Sequence, residues 1–332
     1  MGWWRLSTDT LAESRFVVSP LAETTACLLA LHKNAGAHPG ERAWLDAHLA
    51  AYRARLAGDP VTALLVRSAL RPGWIADFVV PPSSGAADPA FHDELTAIRE
   101  VPADQVHRHL EVALRGPVPA GLRRTDLAER LAGLLEWIWT EMVQPDWARR
   151  RRVIEADIVA RTAQLGQAGW AAAFDAMRPG MRWLGEGRLQ INRYDSPPRD
   201  LSGTRLLFVP VTPGVGWVSW NDSDRHAVIY PCSGVLAGPE PAPVSDALGA
   251  LLGPARARVL VLLDTPKTTT QLVALTGQGL GSVGRHLRVL LDARLVRRRR
   301  AGRAVLYDRT AAGEVLIRAQ APDDGGPSNS KQ

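Results

Sequence analysis

The stretch Thr268-Thr269-Thr270-Gln271-Leu272-Val273-Ala274-Leu275-Thr276-Gly277, followed after Gln278 by GLGSVGRHLRVLLDA at residues 279–293, decides the reading of this chain. Thr268 followed three residues later by Gln271 fits a capping box, in which each side chain satisfies the other residue's orphan N–H. Leu272, Val273 and Leu275 carry the helix it opens. Gly277 suits its end, because glycine takes positive φ without a Cβ penalty. The next helix begins within a few residues. In it Val283, Leu287, Leu290 and Leu291 recur at i, i+4, i+7 and i+8, one apolar stripe. Gly281, Ser282, Arg285, Arg288 and Asp292 fall on the opposite face, with His286 at its edge. A capped helix, a short turn and an amphipathic second helix make a helix-turn-helix, whose second helix enters the major groove of duplex DNA.

The flanks agree. Upstream, Asp246–Leu252 reads as a short helix, and Pro254 suits the first turn of another that buries Val259, Leu262 and Leu263 and stops by Pro266. Downstream, Leu295–Arg300 and Arg303–Asp308 flank Ala301-Gly302, a hairpin with arginines at its tip. Such a wing lies along phosphates or in the minor groove. Ala311–Ala319 reads as a closing helix. Thr268, Thr269 and Thr270 would offer hydroxyls and backbone N–H groups to phosphate at a helix N-terminus. Ser282, Arg285 and His286 would read base edges, and guanine O6 and N7 suit Arg285. Arg288, Arg297, Arg298, Arg299, Arg300 and Arg303 would neutralise phosphates.

Each feature alone has a plainer reading. A run of arginines is usually a solvated face, and the second run, Arg149–Arg152, lacks this context. A lone histidine is usually a packed surface residue. The combination is what specifies DNA. Gly279-Leu280-Gly281-Ser282-Val283-Gly284 matches the dinucleotide fingerprint, but that motif needs a strand before it and an acidic residue about 20 positions later. A capped helix precedes it here and arginines follow, so a nucleotide site is rejected. Gly281 and Gly284 inside a helix each destabilise it by about 1 kcal/mol. They predict a helix that is loose when free and orders on DNA.

Charge supports a polyanion partner. Residues 254–309 hold twelve basic and three acidic groups, a net of +9, which leaves −3 for the rest of a chain whose total is +6. One short module is strongly basic and the remainder mildly acidic. Lysine occurs only at Lys33, Lys267 and Lys331, so the basic excess is almost all arginine. Two cysteines, Cys27 and Cys232, make neither a disulfide framework nor a metal motif. The N-terminus shows no signal peptide, and apolar runs such as Val259–Leu263 fall far short of the roughly 20 residues that span a bilayer. The expectation is a cytoplasmic protein that does not engage membranes.

Working back toward the N-terminus, residues 10–180 read mainly as helix. Thr24–His32, Trp44–Leu56, Leu122–Met142 and residues 145–170 show helical spacing, and residues 81–89 form a loop. From about residue 187 the character changes. Leu189–Tyr194, Arg205–Val211, Gly216–Trp220 and His226–Pro231 are short and rich in β-branched or aromatic residues. The expected organisation is a mainly helical accessory domain at 1–186, its small β region at 187–237, a Pro-rich linker at 238–246, a winged helix-turn-helix domain at 247–319 and a disordered tail at 320–332. The fold class is α+β, mostly α.

The segments LLGPARARVLVLLDTPKTTTQLVALTG and SVGRHLRVLLDARLVRRRRAGRAVLYDRT, within residues 245–318, resemble the ArsR family of winged-helix repressors. The resemblance implies a homodimer, paired through the helices flanking the domain, on a two-fold operator in double-stranded DNA. It places Ser282, Val283, Arg285 and His286 on the recognition helix and Arg298–Arg303 on the wing. There are departures. Family members commonly have Ser before the Arg-His pair, where this chain has Gly284. Many sense metals through cysteines on the first helix of the motif or through His and Asp on the last. Thr268–Gly277 and Ala311–Ala319 contain neither Cys nor His, and only Glu314 could ligate, so metal sensing of the usual family kind is not expected. The first 240 or so residues are extra and resemble an accessory domain of unknown function.

For that front region three readings compete. A domain that senses a small-molecule effector or stabilises a dimer fits its size and its tryptophans Trp44, Trp74, Trp137, Trp139, Trp183, Trp217 and Trp220, which could line a pocket or simply fill the core. A purely structural scaffold or partner platform is the second. An enzyme or ligand-binding protein with a DNA-binding tail is the third, but no nucleophile elbow, P-loop, HExxH or Cys-His pair occurs. His107 and His109, at i and i+2, do not share a helix face. The expectation is a sequence-specific transcriptional regulator, a repressor, without catalysis, cofactor or metal.

Overall fold

The computed structural model describes residues 2–36, 39–175, 177–192, 197–220, 224–232, 244–263, 266–301 and 304–319. The chain forms two compact units, Met1–Leu236 and Ala237–Gln332. The expected tail at 320–332 and most of the expected linker lie outside the described residues.

In the first unit the elements run β1 (Trp3–Arg5), α1 (Thr8–Glu13), β2 (Arg15–Phe16), α2 (Pro20–Lys33), α3 (Pro39–Ala57), α4 (Pro60–Ala69), β3 (Leu70–Arg71), β4 (Trp74–Ile75), α5 (Phe91–Arg99), α6 (Ala103–Leu114), α7 (Leu127–Ile138) and α8 (Trp147–Asp175). The strands β5 (Arg182–Gly185), β6 (Arg188–Gln190), β7 (Arg199–Asp200), β8 (Arg205–Val211), β9 (Trp217–Trp220) and β10 (Arg225–Pro231) follow.

The sheet of order β2-β8-β10-β9 organises this unit. Its central strands β8 and β10 run parallel, in register from Arg205↔Arg225 to Val211↔Pro231. Residues 206–211 of β8 and 227–231 of β10 are continuously apolar because both faces of the sheet are covered. Strand alternation divides them between two cores. Leu207, Val209, Val211, Ala227 and Ile229 face a cluster built with α2, α5 and α7. Leu206, Phe208, Val228 and Tyr230 face a second cluster with Trp4, Leu6, Phe174 and Leu189.

α2 is the helix most enclosed by the first cluster. Ser19 caps it, accepting from Ala22 N–H at 3.0 Å, and Pro20 opens its first turn. It ends on Asn34, in the left-handed region at φ 48°. Glu23 on this helix is fully buried, at 0% exposure, and meets Arg150 of α8, at 1%. Arg150 Nη1 donates to Glu23 Oε1 at 2.7 Å and to Thr212 Oγ1 at 2.9 Å, while Thr212 N–H donates to Glu23 Oε2 at 2.7 Å. The guanidinium also lies over the Trp44 ring, 5.1 Å from its centroid. Burial opposes the Arg150 charge, but the neighbouring Cys27 and Glu23 more than offset it and its pKa is raised. One arginine of the run Arg149–Arg152 is therefore a core ion, where a solvated face was expected. Helical periodicity turns one residue of four inward.

Three further expectations are corrected. The β region is not confined to 187–237. β1 pairs antiparallel with β6 and parallel with β7, β2 joins β8, and β5 precedes residue 187. These partners lie almost the whole unit apart in sequence, and two- or three-residue strands show no period. Gly187 makes the β1 contact possible. At φ 72° it accepts from Leu6 N–H at 2.7 Å, and a Cβ there would sit 2.6 Å from Leu6 O. The helix expected at Leu122–Met142 starts only at Leu127, because Leu122 belongs to a 3₁₀ turn, and after Ile138 it widens into a π turn at Trp139–Val143. Of Leu189–Tyr194, β6 takes only Leu189 and Gln190, and residues 193–194 lie outside the described residues.

The second unit comprises α9 (Asp246–Leu252), α10 (Pro254–Leu262), β11 (Lys267–Thr268), α11 (Thr269–Thr276), α12 (Leu280–Asp292), β12 (Val296–Ala301), β13 (Ala304–Arg309) and α13 (Ala311–Arg318). Val259, Leu260, Leu262, Leu263, Leu272, Val283, Leu287, Leu290 and Val296 form its core. The hairpin register pairs Ala301 with Ala304, so the intervening residues are Gly302 and Arg303. Ala301, expected in the turn, is therefore the last residue of β12, and Gly302 lies outside the described residues. β11 adds a third strand, Lys267↔Tyr307 and Thr268↔Leu306. The sequence did not announce it, again because two residues carry no period.

Arg150→Ala would strand the Glu23 carboxylate in the core and should destabilise the first unit by about 3–5 kcal/mol. The double replacement Glu23→Leu with Arg150→Leu should lose clearly less. Urea denaturation of the full-length protein measures both, and equal losses would mean that the ion pair is not the cause.

Candidate nucleic-acid interface

Local chemistry sets the entry to α11. Gln271 N–H donates to Thr268 Oγ1 at 3.2 Å, and Thr268 N–H donates to Gln271 Oε1 at 2.7 Å, the complete capping box. The helix ends at Gly277, φ 69°, whose N–H donates to Val273 O at 2.9 Å. Only Gly277, Gln278 and Gly279 separate it from α12. Gly279 caps α12 with no side-chain acceptor, and its carbonyl accepts from Ser282 N–H at 2.9 Å and Val283 N–H at 3.1 Å. Thr269 is half-buried at the head of α11. Thr270 occupies the same turn, and its side chain lies outside the described residues.

α12 is divided by its packing. Val283, Leu287 and Leu290 are 0%, 2% and 1% exposed, which leaves Arg285, Arg288 and Asp292 on the solvent face. Val283, which the family resemblance put among the DNA-binding residues, thus packs in the core with the rest of its stripe and is not on the exposed face with Arg285 and Arg288. Ser282 and His286 are half-buried and touch each other, Ser282 Oγ to His286 Nε2 at 3.3 Å, and Ser282 also donates to Gln278 Oε1 at 3.2 Å. Burial lowers the His286 pKa, and the Arg256 and Arg285 charges lower it further. Arg256, on α10, thus lies near enough to His286 for its charge to act there. The charge tally included it, but nothing in the spacing of α10 tied it to α12.

The wing sorts its arginines by strand alternation. Arg297 and Arg299 share a face with Asp308, at 2.7 Å and 3.8 Å. Arg298 and Arg300 point the other way, the side on which Val296 and Tyr307 meet the core, and both are exposed. Among the described residues neither has an ion pair. The four arginines are therefore not equivalent. Arg303 lies outside the described residues. On α13, Glu314 is 3.3 Å from Arg309 Nη1. In the first unit, His107 Nε2 lies 3.0 Å from Leu122 O and His109 stacks on Phe78, centroids 6.4 Å apart, so these half-buried histidines do not form a pair.

Residues 253–298 match the family model described as bacterial regulatory protein, arsR family. The match runs from the start of α10 into β12 and leaves residues 1–252 uncovered. No curated protein and no solved structure matches the chain. The matched segment contains the helix-turn-helix of α11 and α12. No helix among the described residues is long and apolar enough to cross a membrane.

Two measurements bear on this geometry. Thr268→Ala removes half of the capping box and should destabilise the second unit by about 1 kcal/mol in chemical denaturation. A Cβ at Gly281 or Gly284 would meet nothing within 4 Å. Gly284→Ala should therefore stabilise α12 by up to about 1 kcal/mol and increase its amide protection without DNA. Unchanged protection would mean that the glycines do not loosen the helix.

Proposed function

From a C-terminal ArsR-family helix-turn-helix with these contacts, we propose that the protein is a cytoplasmic, homodimeric, sequence-specific regulator that represses by occupying a promoter. The observation that carries this reading is the division of α12. Its apolar stripe is spent on the core, while Arg285 and Arg288 stand exposed on α12 and Arg298 and Arg300 stand exposed on the wing. Arg285 reads a base edge from the N-terminal half of α12, with Ser282 and His286 oriented by their mutual contact. Arg288, Arg298, Arg300 and Arg303 neutralise phosphates. Arg297 and Arg299 contribute less, since Asp308 already shares their charge. Thr268, Thr269 and Thr270 set the α11 N-terminus against the backbone. Pairing of two copies draws support from Leu251 on α9 and Val315 on α13, which are 66% and 65% exposed on the two helices that flank the motif. The protein acts by binding, with no catalytic step and no metal at the usual family positions, and a small molecule is its effector.

Selection of the full-length protein on random duplex DNA, across a salt series, tests this reading. A two-fold site should be enriched, with affinity falling steeply as salt rises. Failure to enrich any site would overturn it. Arg285→Ala should weaken operator binding by about 1–3 kcal/mol and relax the preference at one base pair, whereas Arg298→Ala should weaken operator and random DNA alike and reduce the salt slope by about one. Equal losses on both DNAs for Arg285→Ala would refute the assignment of base reading to that residue.

A further inference from the structure

The first unit contains a cavity of about 270 Å³, just below the roughly 300–1,000 Å³ usual for small-molecule sites. The loop at 81–84, the turn at Asp77–Val79, α5, α6 and residues of the β9–β10 region wall it. Three carboxylates line it, Asp77, Asp93 and Glu94, against one guanidinium, Arg225. That guanidinium has an acid of its own, with Nε 3.9 Å from Asp224 Oδ1. Aromatic surface comes from Phe78, His109 and Trp220. Trp220 already holds a cation, as Arg199 lies 4.2 Å from its ring centroid.

The carboxylates differ in what they can do. Glu94 is 6% exposed and fully engaged, accepting from the hydroxyls of Ser19 and Ser83 at 2.8 Å each and from Leu21 N–H at 3.1 Å. Burial raises its pKa against those three bonds, and its task is to tie α5 to the start of α2 and to the 81–84 loop. Asp77 is half-buried and has a partner of its own within the protein, and Asp93 is exposed, both on the wall. An anionic ligand would meet an excess of negative charge here. A neutral one would leave that charge unused. A cation on an apolar body gains from the carboxylates and from the aromatic faces together.

We propose that this cavity binds a small organic cation, an ammonium group carried on an apolar body, with Asp77 and Asp93 supplying the charge and Phe78, His109 and Trp220 the apolar walls. The site lies wholly in the first unit and stands whether or not the second unit binds DNA.

Calorimetric titration of the full-length protein with phenethylammonium, phenylacetate and 2-phenylethanol, three probes of similar size and different charge, tests it. Phenethylammonium should bind at least about tenfold tighter than the other two, and Asp77→Asn and Asp93→Asn should each weaken it by about tenfold. Ala97→Trp, at an exposed position of α5 on the cavity wall, should abolish binding without moving the thermal unfolding midpoint. Absence of phenethylammonium binding at millimolar concentrations, equal or tighter binding of phenylacetate, or binding that survives Ala97→Trp would each overturn the proposal.

Discussion

The commitment of Val283, Leu287 and Leu290 to the core of the second unit is the constraint on which its surface depends. Three apolar side chains at helical spacing leave α12 one way to lie. The same packing that holds the helix presents Arg285 and Arg288 outward. α11 is set against it by the Thr268 and Gln271 cap and by the left-handed Gly277. β11 is the continuation of that cap into the wing sheet, so helix entry and wing share one short segment, Lys267–Thr268. The exposed face of α12, the turn and the wing are thus consequences of one packing solution.

The wing shows how a sheet divides like charges. Four consecutive arginines on a strand alternate faces, so a run that reads as one basic block becomes two pairs with different surroundings. Asp308 faces Arg297 and Arg299 and leaves Arg298 and Arg300 without it. The basic field is therefore strongest on the face shared with Tyr307.

The first unit rests on a different principle. Its central strands are buried on both faces, which demands unbroken apolar sequence and covering layers on each side. The buried Glu23, Arg150 and Thr212 join α2, α8 and the end of β8 through mutually satisfied polar groups. A buried ion pair contributes little net stability against an apolar alternative, yet either partner alone would be a severe penalty. It serves better as a selector of one arrangement than as a source of strength.

What the sequence by itself determined is what local periodicity and turn chemistry can write. That includes the capping box, the Gly277 stop, the apolar stripe of α12, the limits of α9 and β8, and the basic character of residues 254–309. These depend on residues within a turn or two of one another. The tertiary structure decided what depends on partners far along the chain. It brought β1 and β2 to strands near residues 190 and 208, and it buried Arg150 beside Glu23. It paired Arg297 with Asp308. It also gathered Asp77, Asp93 and Trp220 around one cavity. A helix or strand records its own period in its residues, but the identity of the group that will face a given side chain is fixed only when separate elements pack.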